Sequence, residues 1–189
     1  THPEQSLTPI QIHTFQLLVK RRASGEPISY ILGECEFYSI KFKVTPSVLI
    51  PRQETELLVD LALEKISSSM SCKILDLGTG SGVIAITIAK HRTLSNVTAA
   101  DNSANAIAIA KTNADCLSVN NVNFIKSDWF QALTKRKFDL IISNPPYIAL
   151  NDPHLNQHDL RFEPKLALVA GQDGMICIQT IISSATSYI

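Results

Sequence analysis

The chain has 189 residues, of which 45% are hydrophobic and 18% charged, and its 17 basic and 17 acidic residues give a formal net charge of zero. This composition is typical of a globular protein, and the sequence has neither an apolar run of membrane-spanning length nor a stretch resembling a signal peptide. Four widely spaced cysteines and scattered histidines argue against disulfides and a metal site, so no metal and a cytoplasmic location are expected.

The distribution of charged residues indicates whether the protein binds nucleic acid. A protein that holds a phosphate backbone usually has a basic face, whereas here only 20–22 and 135–137 form basic clusters. Each cluster is expected to be a solvated helix end or loop. An alternative for the cluster 20–22 is a weak contact with an RNA-like or acidic surface of a partner. We therefore expect no direct nucleic-acid contacts, and separately we expect a monomer.

The N-terminal region predicts a helix followed by a hairpin. Thr8-Pro9 has the form of a cap and first turn, and Ile12, Phe15 and Val19 recur at helical spacing, which indicates an amphipathic helix up to Arg22. This helix would belong to a separate helical module. The alternation within 36–44 predicts a short hairpin, with 36–38 paired to 42–44, that links the module to the rest of the chain.

Residues 54–66 predict a helix with an acidic first turn. We interpret Glu54 and Glu56 as residues that stabilise the helix start, in preference to cofactor contact, while the role of Arg52 is left open. Strands and helices alternate after Cys72. The predicted strands are 73–77, 96–100, 122–126 and 138–143, and the predicted helices are 83–90 and 104–117. This order is typical of a parallel sheet with helices on both faces and a ligand at the carboxyl ends of the strands.

A glycine-rich turn follows the first of these strands. The run Ile74-Leu75-Asp76-Leu77-Gly78-Thr79-Gly80-Ser81-Gly82 leads from a buried strand into a helix. Glycines at alternate positions let the backbone approach a ligand and point N–H groups at it from a helix N-terminus. The G-x-G-x-G spacing differs from the G-x-G-x-x-G of dinucleotide-binding folds, so a nicotinamide-dependent oxidoreductase is disfavoured.

The next two strands end in further candidate cofactor residues. Asp101 stands about twenty residues after the glycine turn, where a carboxylate can accept both ribose hydroxyls of an adenosine group. Asp128 could accept an adenine amino group and Trp129 could cover the base. The alternative, an aspartate helix cap followed by a core tryptophan, stays open.

The fourth strand runs into Asn144-Pro145-Pro146-Tyr147, a pattern suited to methylating a planar nitrogen. An amide or exocyclic amino nitrogen is a poor nucleophile, so a catalyst must hold the NH2 group by hydrogen-bond acceptors. Asn144 offers a side-chain carbonyl, Pro145 leaves a backbone carbonyl free, and Tyr147 supplies a flat face. Two prolines stiffen the loop, which matters because correct positioning can contribute roughly 7–11 kcal/mol.

The segment 149–174 is polar and long enough to be a functional loop. We expect Arg161 and Glu163 to order it by pairing with each other, and a lid that closes over the acceptor pocket is the alternative. The chain then continues into an apolar helical pattern over 176–189.

Together these residues resemble the Rossmann-like class of S-adenosylmethionine-dependent methyltransferases. With Ile50-Pro51-Arg52-Gln53-Glu54-Thr55-Glu56 upstream and Arg161-Phe162-Glu163-Pro164 downstream, the chain resembles the release factor glutamine methyltransferases over essentially its whole length, with no departure at the motif positions. The resemblance implies methyl transfer from S-adenosylmethionine to the side-chain amide of the glutamine in the Gly-Gly-Gln motif of class I peptide-chain release factors.

The resemblance also assigns roles to residues. The loop from Gly78 to Gly82, with Asp76 before it, would hold the methionine end of the cofactor, Asp101 the ribose, and Asp128 and Trp129 the adenine. The run from Asn144 to Tyr147 would hold the substrate glutamine, with Asn144 also touching the cofactor. Two alternatives are a DNA amino-methyltransferase acting on a flipped base and a catalytically silent release-factor-binding module.

The resemblance implies three parts of the chain. Residues 1–34 are expected to end a helical recognition domain, 35–51 to form the hairpin linker, and 52–189 to form the methyltransferase domain. Because only four parallel strands are predicted, the sheet is expected to be truncated before its last strands.

Overall fold

The computed structural model describes residues 5–189, so the first four residues of the predicted helical module lie outside the described residues. The helices are α1 (Pro9–Ala23), α2 (Ile28–Leu32), α3 (Glu56–Lys65), α4 (Val83–His91), α5 (Ala104–Cys116) and α6 (Ile176–Ala185). The strands are β1 (Glu34–Phe37), β2 (Ile40–Lys43), β3 (Lys73–Leu77), β4 (Asn96–Asp101), β5 (Val122–Lys126) and β6 (Leu140–Ser143). Within these residues no helix combines the length and apolar character needed to cross a membrane.

The central sheet is parallel, as the alternating pattern predicts, and its strand order is β5-β4-β3-β6. Its two faces bury separate sets of side chains, because successive residues of a strand point to opposite sides. Ile74 packs with α3, α4 and the hairpin on one face, whereas Leu75 and Leu77 pack with 130–138 and α6 on the other. Helices on both faces therefore confirm the predicted fold class.

The N-terminal helix begins as expected. Thr8 caps α1, its hydroxyl accepting the Gln11 N–H at 3.3 Å while the Gln11 side chain accepts the Thr8 N–H, and Pro9 stands at the first helical position. The basic cluster 20–22 lies in the last turn of this helix, in agreement with the helix-end interpretation. All side chains of α1 keep contact with solvent, so its apolar stripe contributes little to the core.

The hairpin forms, but its predicted register is wrong. Phe37 pairs with Ile40, and the two residues between them, Tyr38 and Ser39, make the turn with φ of 54° and 58°. The Tyr38 N–H then donates to the Glu56 carboxylate at 2.7 Å, which removes it from the strand. Helix α6 is also shorter than predicted and ends at Ala185.

Candidate functional site

The three predicted motifs meet at the carboxyl edge of the sheet. Leu77 of β3 is the register partner of Ser143 of β6, and the Ser143 hydroxyl donates to the Leu77 carbonyl at 2.8 Å. The glycine loop and Asn144 consequently leave neighbouring strands side by side, with Asp101 at the end of the next strand. This edge lies between β3 and β6, where the order of strands reverses, which is where open α/β sheets bind ligands.

A cavity of about 270 Å³ opens at this edge and is called here the first cavity. Seven of the predicted site residues line it: Gly78, Gly80, Asp101, Asp128, Trp129, Asn144 and Pro146. Its mostly apolar wall with a few convergent polar groups has the character of a small-molecule site.

The glycines of the loop have different surroundings. A Cβ on Gly78 or Gly80 would meet no atom of residues 5–189 within 4 Å, and both have positive φ, so their backbone faces open space beside the first cavity. A Cβ on Gly82 would lie 2.8 Å from Ile86 Cδ1 and 3.1 Å from Ala110 Cβ. Two glycines thus form a cradle for a ligand, while the third permits close packing of α4 against α5.

The polar residues of the loop lie behind the cavity wall. Asp76 is fully buried and accepts the Thr79 hydroxyl at 2.6 Å, while its second carboxylate oxygen has no partner among residues 5–189. Burial raises the pKa of Asp76 to about 7, and the Thr79 hydrogen bond partly opposes this rise. The Ser81 carbonyl accepts from Asn113. These residues shape the loop, and a direct cofactor contact of Asp76, Thr79, Ser81 or Gly82 stays a prediction.

Asp101 is held by two backbone N–H groups. One carboxylate oxygen accepts from Gly80 at 2.9 Å and the other from Ser103 at 2.8 Å. Burial raises the pKa of Asp101, and these two hydrogen bonds oppose the rise. Because each carboxylate oxygen has two lone pairs, the oriented carboxylate can still accept two hydroxyl groups from a ligand in the first cavity.

Trp129 packs on the core and also lines the first cavity, no helix begins at Asp128, and contact of the Trp129 ring with adenine stays a prediction. Its ring is half-buried, packs against the cluster of Leu75 and Phe130, and lines the first cavity. Its backbone has a φ of 45°, and its carbonyl accepts the Ser127 hydroxyl at 2.8 Å, which holds this sharp turn. Asp128 is exposed at the cavity rim, where its carboxylate accepts from the Gln131 side chain at 3.2 Å.

A second cavity of about 350 Å³ lies next to the first. Its wall includes Pro145 and Tyr147, and it shares Leu49, Asn144, Pro146 and Ala167 with the first cavity. The Asn144 Nδ2 group donates to the Thr55 hydroxyl at 3.1 Å, which leaves the side-chain carbonyl as an acceptor. Two binding spaces therefore meet at the asparagine and second proline of the loop.

The segment 149–174 covers part of both cavities, but the predicted pairing of Arg161 with Glu163 is wrong. Glu163 is buried and instead accepts from the Arg52 guanidinium and, at 3.3 Å, from the Ile50 N–H. Arg161 reaches the N-terminal module, where it donates to the Ser24 carbonyl at 3.0 Å. Burial raises the pKa of Glu163 and Arg52 opposes the rise, so this carboxylate ties the segment to the linker. Closure as a lid stays a prediction.

Several lining residues were missed because they are distant in sequence. The linker residues Ser47, Val48 and Leu49 and the helix residue Cys177 line the first cavity, and Thr55 lines the second. Of these residues only Thr55 lies in the stretch from Ile50 to Glu56 that carries the family resemblance, and the sequence assigns it no role. No local pattern distinguishes Thr55 from an ordinary threonine at a helix start.

Comparisons with known proteins agree with this fold. The model of the methyltransferase small domain matches residues 53–160, and that of the PrmC N-terminal domain matches residues 1–33. The catalytic domain of hMettl16, solved with MAT2A 3'UTR hairpin 1, shares the fold with a TM-score of 0.57 at 17% identity, over 77% of this chain and 56% of that chain. The T. thermophilus 16S rRNA methyltransferase RsmC, solved with AdoMet and guanosine, has a TM-score of 0.52 at 20% identity over 61% and 32%.

Two relatives match the chain along its length. A release factor glutamine methyltransferase of Xylella fastidiosa (strain 9a5c) is 45% identical over 189 residues, which cover 100% of this chain and 69% of the relative. Another, of Coxiella burnetii (strain RSA 493), is 47% identical over 188 residues, covering 100% and 67%. The chain belongs to the family of release factor glutamine methyltransferases.

Proposed function

We propose that this chain transfers a methyl group from S-adenosylmethionine to the side-chain amide nitrogen of the glutamine in the Gly-Gly-Gln motif of class I release factors. The observation that carries the proposal is the meeting of the two cavities at Asn144 and Pro146. A donor in the first cavity and an acceptor in the second would touch at these two residues. Such placement is what a direct transfer between two bound molecules requires.

The first cavity fits the cofactor. Gly78 and Gly80 leave room for a backbone-bound amino-acid end, Asp101 presents an oriented carboxylate for ribose hydroxyls, and Trp129 offers a ring face for adenine. When bound, S-adenosylmethionine would supply an activated methyl group: the amide nitrogen would gain the methyl, and the electron pair of the broken carbon–sulfur bond would stay on the sulfur. The nearby carboxylates suit its positive charge.

The second cavity fits a primary amide. The Asn144 side-chain carbonyl and the Pro145 backbone carbonyl would accept the two NH2 protons, which holds the nitrogen with its remaining lone pair facing the first cavity. Tyr147 is 65% exposed and is available to cover the bound amide. The excess proton leaves to water after transfer, so positioning and polarisation replace a general base.

We further propose a monomeric cytoplasmic enzyme whose macromolecular partner is the release factor and which makes no direct contact with nucleic acid. The formal net charge of zero supports the last point, because binding of a phosphate backbone draws on an excess of basic side chains.

The test is to incubate the chain with methyl-labelled S-adenosylmethionine and a purified class I release factor. A factor with the Gly-Gly-Gln glutamine replaced by alanine and a duplex DNA serve as controls, and mass spectrometry maps the label. Label on that glutamine alone is the expected result. Label on DNA, or on no macromolecule although the cofactor binds, would show that the acceptor has been misassigned.

A further inference from the structure

Thr55 occupies a defined position behind the asparagine of the acceptor loop. It ends the short 3-10 turn Gln53–Thr55 that leads into α3, and its own N–H donates to the Arg52 carbonyl at 3.1 Å. The residue is only 8% exposed and lines the second cavity together with Asn144. Its hydroxyl accepts the Asn144 Nδ2 group at 3.1 Å across 89 residues of sequence.

The orientation of the Asn144 amide matters for the proposed chemistry. A primary amide has a carbonyl oxygen on one side and an NH2 group on the other, and the two have nearly the same shape. The substrate glutamine presents an NH2 group, which needs an acceptor. If the Asn144 amide turned over, its own NH2 would face the substrate NH2, and the two donors would lie opposite each other without a partner.

We propose that Thr55 is a positioning residue, whose hydroxyl accepts the Asn144 NH2 group at 3.1 Å and so holds this side chain in place, with its carbonyl left to accept from the substrate amide. This inference rests on the proposed function, because the orientation of the Asn144 amide matters only if the substrate presents a hydrogen-bond donor such as the glutamine NH2 group. Burial of Thr55 strengthens its hydrogen bond to Asn144, because few water molecules compete for a buried hydroxyl.

The Thr55 hydroxyl is not placed to contact the cofactor. Thr55 lines the second cavity, whereas the candidate cofactor residues Gly80, Asp101 and Trp129 line the first. Asn144 lines both cavities, but the other candidate cofactor residues should keep their positions when the Thr55 hydroxyl is removed. A change confined to this hydroxyl is therefore expected to lower the rate of the chemical step by a much larger factor than it weakens cofactor binding. A fall in kcat without a matching change in cofactor Kd would distinguish this role from a general loss of structure, which would affect both.

The test compares three variants with the wild-type chain. Thr55→Val removes the hydroxyl at nearly constant shape, and Thr55→Ser retains it. Thr87→Val is the matched control, because Thr87 is also buried and its hydroxyl has no partner among residues 5–189. Each variant is assayed for kcat and KM with a release factor, for cofactor Kd and for the midpoint of thermal unfolding.

For Thr55→Val we expect a fall in kcat of about tenfold or more, equivalent to about 1.4 kcal/mol, because an unpaired donor is left at the acceptor site. The cofactor Kd should stay within about twofold of wild type, and Thr55→Ser and Thr87→Val should keep kcat within about threefold. Wild-type kcat for Thr55→Val, an equal loss for Thr55→Ser, or a loss that follows cofactor affinity would each overturn the inference. If the wild-type chain labels no glutamine, both the proposed function and this inference are rejected. If the wild-type chain labels the glutamine and Thr55→Val does so at the same rate, only this inference is rejected.

Discussion

Replacing Gly80 and Gly82 by alanine, one at a time, should separate the two roles of the glycine loop. Both residues have positive φ, 57° and 86°, where an L side chain costs about 1–2 kcal/mol. At Gly80 the added methyl would occupy open space at the wall of the first cavity. At Gly82 it would lie 2.8 Å from Ile86 Cδ1 and 3.1 Å from Ala110 Cβ, which adds about 1–3 kcal/mol of overpacking.

These costs give different expected outcomes. For a chain of this size each 1 kcal/mol lowers the unfolding midpoint by roughly 2–4 °C, so Gly80→Ala should lose roughly 2–8 °C and Gly82→Ala roughly 4–20 °C. Gly80→Ala should also raise the cofactor Kd by about tenfold or more, about 1.4 kcal/mol, because its methyl occupies ligand space. Calorimetric titration with S-adenosylmethionine and thermal unfolding followed by circular dichroism measure the two effects.

Gly33→Ala is the matched control for backbone strain. Gly33 has a φ of 76°, and a Cβ there would meet no atom of residues 5–189 within 4 Å. The residue caps the end of α2 and lines neither the first nor the second cavity. Its alanine variant should share the strain and keep the cofactor affinity. The reasoning is refuted if Gly80→Ala binds the cofactor as well as Gly33→Ala, or if Gly82→Ala unfolds at the same temperature as Gly80→Ala.

Three further predictions concern the half-buried carboxylate of Asp101 and the buried carboxylates of Asp76 and Glu163. Asp101→Asn should weaken cofactor binding by about 1–3 kcal/mol, because one of its two acceptor oxygens becomes a donor, and unchanged calorimetric affinity at pH 8 would contradict this. The raised pKa of Asp76, about 7 against 3.8, means that the fold favours the protonated carboxyl. The free energy of unfolding should therefore fall by about 1.4 kcal/mol per pH unit as pH rises from 3.8 to 7, which is about 3 kcal/mol between pH 5 and 8. Asp76→Asn should remove this fall in urea unfolding at those two pH values. Glu163→Gln should destabilise the chain by about 1.5–3 kcal/mol, because a neutral amide replaces the charged partner of Arg52. The loss of this contact should also speed hydrogen exchange in 149–174. Exchange at the wild-type rate would contradict the role of Glu163 in fixing this segment.

The parts of the site that could be predicted are those whose residue types carry their own chemistry. Glycines at alternate positions after a buried strand, an aspartate ending the next strand and Asn144 with its prolines each signal a ligand contact locally. Parallel-sheet topology then brings strand ends to one edge, so their proximity also followed from the pattern. The first cavity accordingly contains Gly78, Gly80, Asp101 and Trp129.

Pairings between distant residues could not be predicted in the same way. Arg161 and Glu163 are two residues apart and opposite in charge, which suggested a local pair, yet Glu163 is bound by Arg52 across 111 residues of sequence. Burial decides this outcome, because a carboxylate removed from water needs partners that surround it, and here Arg52 supplies a guanidinium and Ile50 a backbone N–H. The hairpin register similarly depended on the distant acceptor Glu56.

The sequence by itself determined the parallel sheet, its helices, the glycine loop and the acceptor motif, since these depend on periodicity and on residues adjacent in the chain. Only the tertiary structure decided that Asp76 lies beneath the loop, that Gly82 serves helix packing and that Thr55 faces Asn144. The physical reason is that a side chain's environment depends on which distant elements pack around it. Local pattern specifies the elements, and their packing assigns each polar group its partner.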